Sequence, residues 1–271
     1  MFLSVIIPTC HRNDLLVLCL DCLAPGTQIF DSSQYEVIVS DDGSKSTSEE
    51  LVRASYPWVK WVQGPRKGPA SNRNFGAKQA KGEWLVFIDD DCLPDKQILN
   101  AYWIAIQLYP HSLLLEGKTV ADREQRYPWE ESPINMTGGN FWSCNIAFNR
   151  DAFLSIQGFD EGFPFAKMED VEIGYRIRKN GWEWHFVPEA FLVHPWRDRK
   201  RNWVNGAVHS MKVLLGKHPE LKSEYNTKLF LRMAIKKIVS AANYLFKFKF
   251  REFEFEFSEG IKLLVYTFKV L

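Results

Sequence analysis

Short apolar runs alternate with amphipathic stretches through the first half of the chain. Leu3–Ile7, Tyr35–Ser40, Val59–Gln63 and Trp84–Ile88 have strand length and are rich in β-branched and aromatic residues. Between them, Asn13–Leu23, Thr47–Ala54 and Ala70–Ala80 carry apolar residues at helical spacing. This alternation predicts βαβ units around a mainly parallel sheet with helices on both faces, an α/β fold. A helix over Asp95–Leu108 and a strand over Leu113–Val120 extend the pattern, and the polar Ala121–Gly139 reads as a long loop. A second set follows, with a strand at Asn145–Phe148, a short helix near Asp151–Ile156 and a helix over Asp170–Asn180. Gly181 stands where that helix needs a left-handed residue to end.

From about Asn202 the pattern is helical and basic. Lys228–Lys249 sets bulky apolar residues beside Arg232, Lys236 and Lys237 at helical spacing. Phe248–Phe257 alternates strictly, which alone favours a strand, but a lone strand has no partner, so two helices and a turn are expected. The organisation expected is a catalytic domain over 1–200 and a helical extension over 201–271. Within the first, a nucleotide-binding half covers about 1–92 and an acceptor or catalytic half about 93–200.

With 271 residues and 46% hydrophobic content, the chain can build one large core or a core with an appendage. A net charge of +1 excludes capture of nucleic acid by the overall field. Cys10, Cys19, Cys22, Cys92 and Cys144 are odd in number and scattered, which points to free thiols in a reducing, cytoplasmic compartment. Cys19 and Cys22 sit in an apolar helical pattern and read as buried thiols. The run Phe2–Ile7 stops at Pro8 without a basic leader and reads as a buried strand rather than a signal segment. No segment approaches the roughly 20 apolar residues that span a bilayer.

The chemistry is concentrated in acids. Asp41 and Asp42 end the second predicted strand; Asp89, Asp90 and Asp91 end the fourth. In a parallel sheet the carboxyl ends of the strands share one edge, where ligands bind. Carboxylates gathered there repel one another unless a cation joins them, and a hard ion such as Mg²⁺ or Mn²⁺, shared with phosphate oxygens, suits that set. Helix capping explains a single acid but not a triple.

Five ordered motifs make residues 3–195 resemble a family 2 glycosyltransferase of the GT-A fold. They are Val5-Ile6-Ile7-Pro8-Thr9 with Arg12; Asp41-Asp42-Gly43-Ser44; Gly68-Pro69-Ala70-Ser71-Asn72-Arg73-Asn74; Asp89-Asp90-Asp91; and Gly158-Phe159-Asp160-Glu161 leading to Glu169-Asp170. The resemblance implies an inverting enzyme that passes a sugar from a nucleotide-diphosphate donor, UDP favoured, to the hydroxyl of a saccharide or lipid-linked acceptor. Pro8, Thr9, Arg12, Asp42, Gly68, Arg73, Asp89 and Asp90 would line the nucleotide, with Arg73 fixing Asp42 or meeting the base and Asp90 structural. Asp91, with Asp89 and His194, would hold Mn²⁺ or Mg²⁺. Asp170 would be the general base, with Glu169 orienting it. Gly138, Gly139, Asn140, Trp142 and Asn145 would line the sugar or acceptor. Arg197, Arg199, Lys200 and Arg201 could close over the diphosphate, or form a solvated basic face.

Two other classes stand beside this one. A catalytically inactive scaffold of the same fold need not keep Asp89, Asp91 and Asp170 together. A dinucleotide oxidoreductase needs a glycine-rich turn where Pro8-Thr9-Cys10-His11 stands. The basic tail suits either an interfacial helix on an acidic membrane surface or packing against the catalytic domain or another subunit.

Overall fold

The computed structural model describes residues 1–163, 166–199 and 203–270, without the side chains of 203–205 and 268–270. Two compact units form. The first comprises Met1–Asp122 and Ser132–Pro195; the second comprises Arg123–Glu131 and Trp196–Leu271.

In the first unit the strands are β1 (Leu3–Thr9), β2 (Tyr35–Asp41), β3 (Val59–Gln63), β4 (Trp84–Ile88), β5 (Leu93–Pro94) and β6 (Leu114–Val120). In the second, β7 is Glu130–Glu131. Back in the first, β8 (Asn145–Asn149) and β9 (Trp184–Val193) complete one eight-stranded sheet, in the order β3-β2-β1-β4-β8-β6-β9-β5. β1 to β4 are parallel to one another, whereas β8 runs antiparallel between β4 and β6. The helices are α1 (Asn13–Leu23), α2 (Glu49–Ser55), α3 (Pro69–Lys78), α4 (Ile98–Leu108), α5 (Arg150–Ser155) and α6 (Glu169–Lys179).

Both faces of this sheet are covered, which is why its central strands read as unbroken apolar runs. Val5, Ile7, Val37, Val39, Val86 and Ile88 pack with Leu16, Leu20 and Leu23 of α1 and with Ile98 and Tyr102 of α4. The alternate residues Ile6, Ile38, Leu85 and Phe87 face Ala70 and Ala77 of α3 and Ile173 and Ile177 of α6. Phe87 stands in a ring cluster, 5.1 Å from Phe153, 5.3 Å from Phe159 and 6.1 Å from Phe148.

Strand direction decides what converges. β1, β2 and β4 end at one edge, and the antiparallel β8 begins there, Ile88 lying opposite Asn145. β6 and β9, parallel to each other and antiparallel to β8, end at the same edge. β5 then pairs Leu93 with Val193, so Asp91 and His194 emerge side by side.

In the second unit, β10 (Arg197–Asp198) pairs antiparallel with β7. Three helices follow, α7 (Trp203–Lys217), α8 (Thr227–Phe246) and α9 (Phe250–Val270). The strictly alternating Phe248–Phe257 stretch is helical from Phe250. Helix α9 pairs with α8, where Lys237 Nζ donates to Glu256 Oε1 at 2.9 Å and the Phe230 and Tyr266 rings meet edge-on at 5.3 Å. Among the described residues no helix is long and apolar enough to cross a membrane.

Phe87→Ala removes one ring of a cluster in which Phe87, Phe148, Phe153 and Phe159 all meet, and leaves a cavity in a close-packed layer. The expected loss is about 3–5 kcal/mol of unfolding free energy, measured by urea denaturation.

Candidate active site

Helix α3 brackets the site with polar side chains that are buried despite lying on a helix. Gly68 precedes it at φ +98, a conformation glycine adopts without a Cβ penalty. Asn72 accepts from Ser40 Oγ at 2.6 Å and donates to the Ser40 carbonyl at 2.8 Å, with a longer bond to the Thr9 carbonyl at 3.3 Å. Asn74 donates to the Phe159 carbonyl and accepts from the Phe159 amide, fixing the turn at Gly158. Ser71 Oγ and Asn74 Nδ2 both donate to Glu161. These contacts give the third and fifth motifs a shared framework role that spacing did not reveal.

Arg73, on the same helix, is buried between two acids. Its Nη2 donates to Asp89 Oδ1 at 2.7 Å and its Nη1 lies 3.4 Å from Glu169 Oε1. Burial works against the guanidinium charge, but Asp89, Glu169 and Asp170 outweigh it and raise the arginine's pKa. The expectation that Arg73 meets Asp42 or the base is therefore corrected, because its donors serve the acids of β4 and α6. Burial also pushes Glu169 up to about 8, with Asp170 adding to the rise and Arg73 opposing it. Glu169 Oε2 has no hydrogen-bond partner among the described residues, so a neutral carboxyl costs less there than an ionised one. Desolvation lifts Asp170 to about 6 against the pull of Arg73 and Ser143, whose amide donates to Asp170 Oδ1 at 3.2 Å.

The acid triple divides its duties. Asp90 is fully buried and accepts from Thr9 Oγ1 at 2.6 Å and from Arg12 Nε at 3.1 Å, with a further ion pair to Arg12 Nη2. Burial pushes Asp90 up to about 7, against Arg12 and Thr9. Asp90 is thus structural, and Thr9 and Arg12 are its partners. Pro8 lies buried within β1, and the Thr9 hydroxyl donates to Asp90. Arg12 Nη1 also donates to Asp91 Oδ2 at 2.9 Å.

Asp91, Cys92 and His194 each offer a ligand atom within 4.8 Å of the others, the only such cation-type cluster among the described residues. His194 Nε2 lies 3.3 Å from Asp91 Oδ1, and its Nδ1 faces the Pro195 carbonyl at 3.1 Å. A carboxylate with an imidazole nitrogen suits a transition ion such as Mn²⁺, and the carboxylate alone suits Mg²⁺. Burial raises the Cys92 thiol well above its ordinary range, so it stays protonated and is a poor ligand for a hard ion. Asp89 stands outside this cluster and accepts from Arg73 through Oδ1.

At the end of β2, Asp42 accepts the amides of Arg66 at 2.9 Å and Gly68 at 3.1 Å and so shapes the loop entering α3. Desolvation raises its pKa, opposed by those two amides. Asp41 is buried and holds the amides of Gly43 and Ser48.

Glu116 in β6 was not singled out by the sequence, yet it organises the glycine loop. Fully buried, it accepts from the amides of Gly139 at 2.6 Å and Asn140 at 2.9 Å, from the Phe141 amide, and from Asn135 Nδ2 at 2.9 Å. Gly138 and Gly139 adopt φ +79 and +87, which lets three successive amides converge on one carboxylate. Arg178 of α6 closes the loop from outside, donating to the Gly139 carbonyl at 2.6 Å and lying over the Phe141 ring at 4.6 Å. Two of the expected lining residues have partners within the fold. Asn145 is buried and spends its groups on Tyr102, Lys118 and Ala190. Trp142 is half-buried against the core rather than an exposed stacking plane. Arg197 and Arg199 lie in the second unit, both near Glu131, while Lys200 and Arg201 lie outside the described residues.

Residues 4–153 match the family model described as glycosyl transferase family 2. Validoxylamine A glucosyltransferase of Streptomyces hygroscopicus subsp. limoneus is 29% identical over 265 residues, covering 82% of this chain and 58% of that protein. Chondroitin synthase of Escherichia coli is 26% identical over 252 residues, covering 76% of this chain and 36% of that protein. The chain thus spans about three-fifths or less of the length of these curated relatives. Among solved structures, S. aureus TarS 1–349 in complex with UDP-GlcNAc has a TM-score of 0.60 at 18% identity, covering 95% of this chain and 91% of that one. The mannosyltransferase PcManGT from Pyrobaculum calidifontis, in complex with GDP-Man and Mn²⁺, has a TM-score of 0.59 at 20% identity, covering 80% and 64%. At these identities the likeness is one of fold, the GT-A type.

Glu116→Ala would leave three loop amides without their acceptor. A loss of about 3 kcal/mol or more is expected in urea unfolding, since each unmet buried group costs about 1–3 kcal/mol.

Proposed function

The chain belongs to glycosyl transferase family 2, and on that premise we propose that it transfers a sugar from a UDP-linked donor to an acceptor hydroxyl with inversion. The supporting observation is that Arg73 joins Asp89, at the end of β4, to Glu169 beside Asp170. Donor-side and base-side acids therefore belong to one charge network at one sheet edge.

Asp91 and His194 would hold a divalent ion. Once bound, that ion would neutralise the charge gathering on the departing diphosphate. Asp42 would meet the uracil imide; each carboxylate oxygen can accept a second hydrogen bond beyond the loop amide it already holds. The loop at Gly138–Asn140, braced by Glu116 and Arg178, would form the wall against the sugar, its two glycines allowing close backbone approach. Asp170 would receive the acceptor's proton as its oxygen attacks the anomeric carbon from the face opposite the leaving group. A carboxyl lifted to about 6 is a stronger base than an ordinary aspartate and is still ionised at neutral pH. Glu169, lifted to about 8, carries the proton of the pair and spares Asp170 a second adjacent charge.

The acceptor is proposed to be a saccharide, free or lipid-linked, in line with relatives that act in glycoside and polysaccharide synthesis. The basic and apolar α8 supports peripheral contact with the cytoplasmic face of a membrane.

Asp91→Ala should lose Mn²⁺-dependent UDP affinity in calorimetric titration; undiminished affinity removes Asp91 as a ligand. Asp170→Asn should bind UDP-sugar normally while transfer drops roughly 10²–10⁴-fold, the usual worth of a general base. The sign of the pH effect follows from the raised value. Asp170 must be ionised, so kcat/KM falls as pH is lowered through about 6. An acidic limb near 4 instead would point to an unperturbed carboxylate.

A further inference from the structure

The turn between α8 and α9 carries an unusual surface. Seven consecutive residues, Leu245 to Arg251, are all exposed, and they read Leu-Phe-Lys-Phe-Lys-Phe-Arg with no acid among them. Phe246, Phe248 and Phe250 leave 83%, 81% and 62% of their surface open, whereas rings of this size are ordinarily covered. The Phe248 and Phe250 rings lie 6.5 Å apart, edge to face, so part of the tip is already a joined apolar surface. Lys247 and Lys249 separate the rings along the chain. The Arg251 guanidinium lies over the Trp129 ring at 4.6 Å, which leaves the two lysines as the cations of the tip.

The open apolar surface continues along α8. Leu231, Ile235, Val239 and Phe246 are exposed and recur at steps of four, four and seven, which places them on one helix face. Arg232 and Lys236 follow Leu231 and Ile235 by one position, and Lys228 precedes Leu231 by three. Between Thr227 and Phe246 there is no aspartate or glutamate at all.

We propose that the tip and this face of α8 dock into the interface of a bilayer rich in acidic phospholipids. Phe246 and Phe248 enter the acyl boundary, while Lys247 and Lys249 meet headgroup phosphates. The proposal deepens the peripheral membrane contact suggested above and is independent of the sugar chemistry. Charge selects the occupant. A second copy docking through the same face by two-fold symmetry would set lysine against lysine, whereas lipid phosphate supplies the opposite sign. An interfacial helix also needs no bilayer-spanning length, and no described helix has one.

The test is co-sedimentation of the full chain with phosphatidylcholine vesicles, with and without phosphatidylglycerol. The wild-type protein should pellet with the acidic vesicles and far less with neutral ones. Phe246→Ser with Phe248→Ser should weaken binding by about tenfold or more for each ring, given the transfer free energy of an apolar side chain. Lys247→Ala with Lys249→Ala should weaken it roughly fivefold per lysine, on acidic vesicles only. Unchanged circular dichroism and unchanged Mn²⁺-dependent UDP affinity would establish that these surface variants are folded. Acidic-vesicle binding that survives both variants overturns the tip while leaving a membrane contact elsewhere. No pelleting with either vesicle overturns the membrane contact itself. A dimer in light scattering that the phenylalanine variant dissolves, without lipid, assigns the face to self-association and also overturns the proposal. Failure of the glycosyltransferase reading would appear instead in the UDP titration, which contains no lipid.

Discussion

A single buried guanidinium ties the acid triple after β4 to the acids that open α6. Arg73 is removed from water, and such a charge is tolerable only when carboxylates surround it. Asp89 and Glu169 flank it from two elements 80 residues apart in sequence, the end of β4 and the start of α6. Taking away Asp89 would leave that charge uncompensated and taking away Glu169 would remove an acceptor beside Nη1, so the position of α6 is tied to the acid triple by polar contacts as well as by packing. The same arrangement leaves more carboxylate than arginine. That excess, together with burial, holds Glu169 and Asp170 above the usual carboxylate range.

A second buried acid does comparable work for the glycine loop. Glu116 collects three backbone amides of the glycine loop, and those donors offset part of the cost of burying it. Its loop runs through Phe141 and Trp142 to Ser143, whose amide touches Asp170. Each of the proposed subsites therefore rests on an ionisable residue that faces no substrate: Asp90 behind the cation cluster, Glu116 behind the glycine loop, Asp41 behind the loop after β2. This separation has a physical basis. Loops that must present their polar groups outward cannot satisfy them internally, so fixed charges beneath the loops hold them in shape.

The C-terminal helices follow a different logic. Their paired faces use ordinary means, a Lys237–Glu256 bond and ring contacts, but their outer faces leave phenylalanines and aliphatic residues open beside lysines. Those open phenylalanines beside lysines are the observation on which the proposed bilayer contact rests.

The alternation of apolar runs and helical stretches sufficed to determine the α/β class, the parallel β1–β4 half and the helices flanking it, because burial on both sheet faces writes itself into hydrophobic periodicity. The two-helix tail followed only from the lack of a partner for a strand at Phe248–Phe257, whose period alone pointed the other way. The acid clusters were equally legible, since a carboxylate triple after an unbroken strand has few structural explanations. Tertiary structure alone decided which acids face which partners. Thr9 and Arg12 turned to Asp90, Arg73 to Asp89 and Glu169, and Asn145 to the framework, because direction within a buried polar network depends on residues distant in sequence. Nothing local marked Glu116 either: one glutamate in a strand looks like any other until a loop some twenty residues later folds its amides onto it. His194 beside Asp91 likewise required the β5–β9 register, a non-local pairing that two-residue β5 is too short to announce.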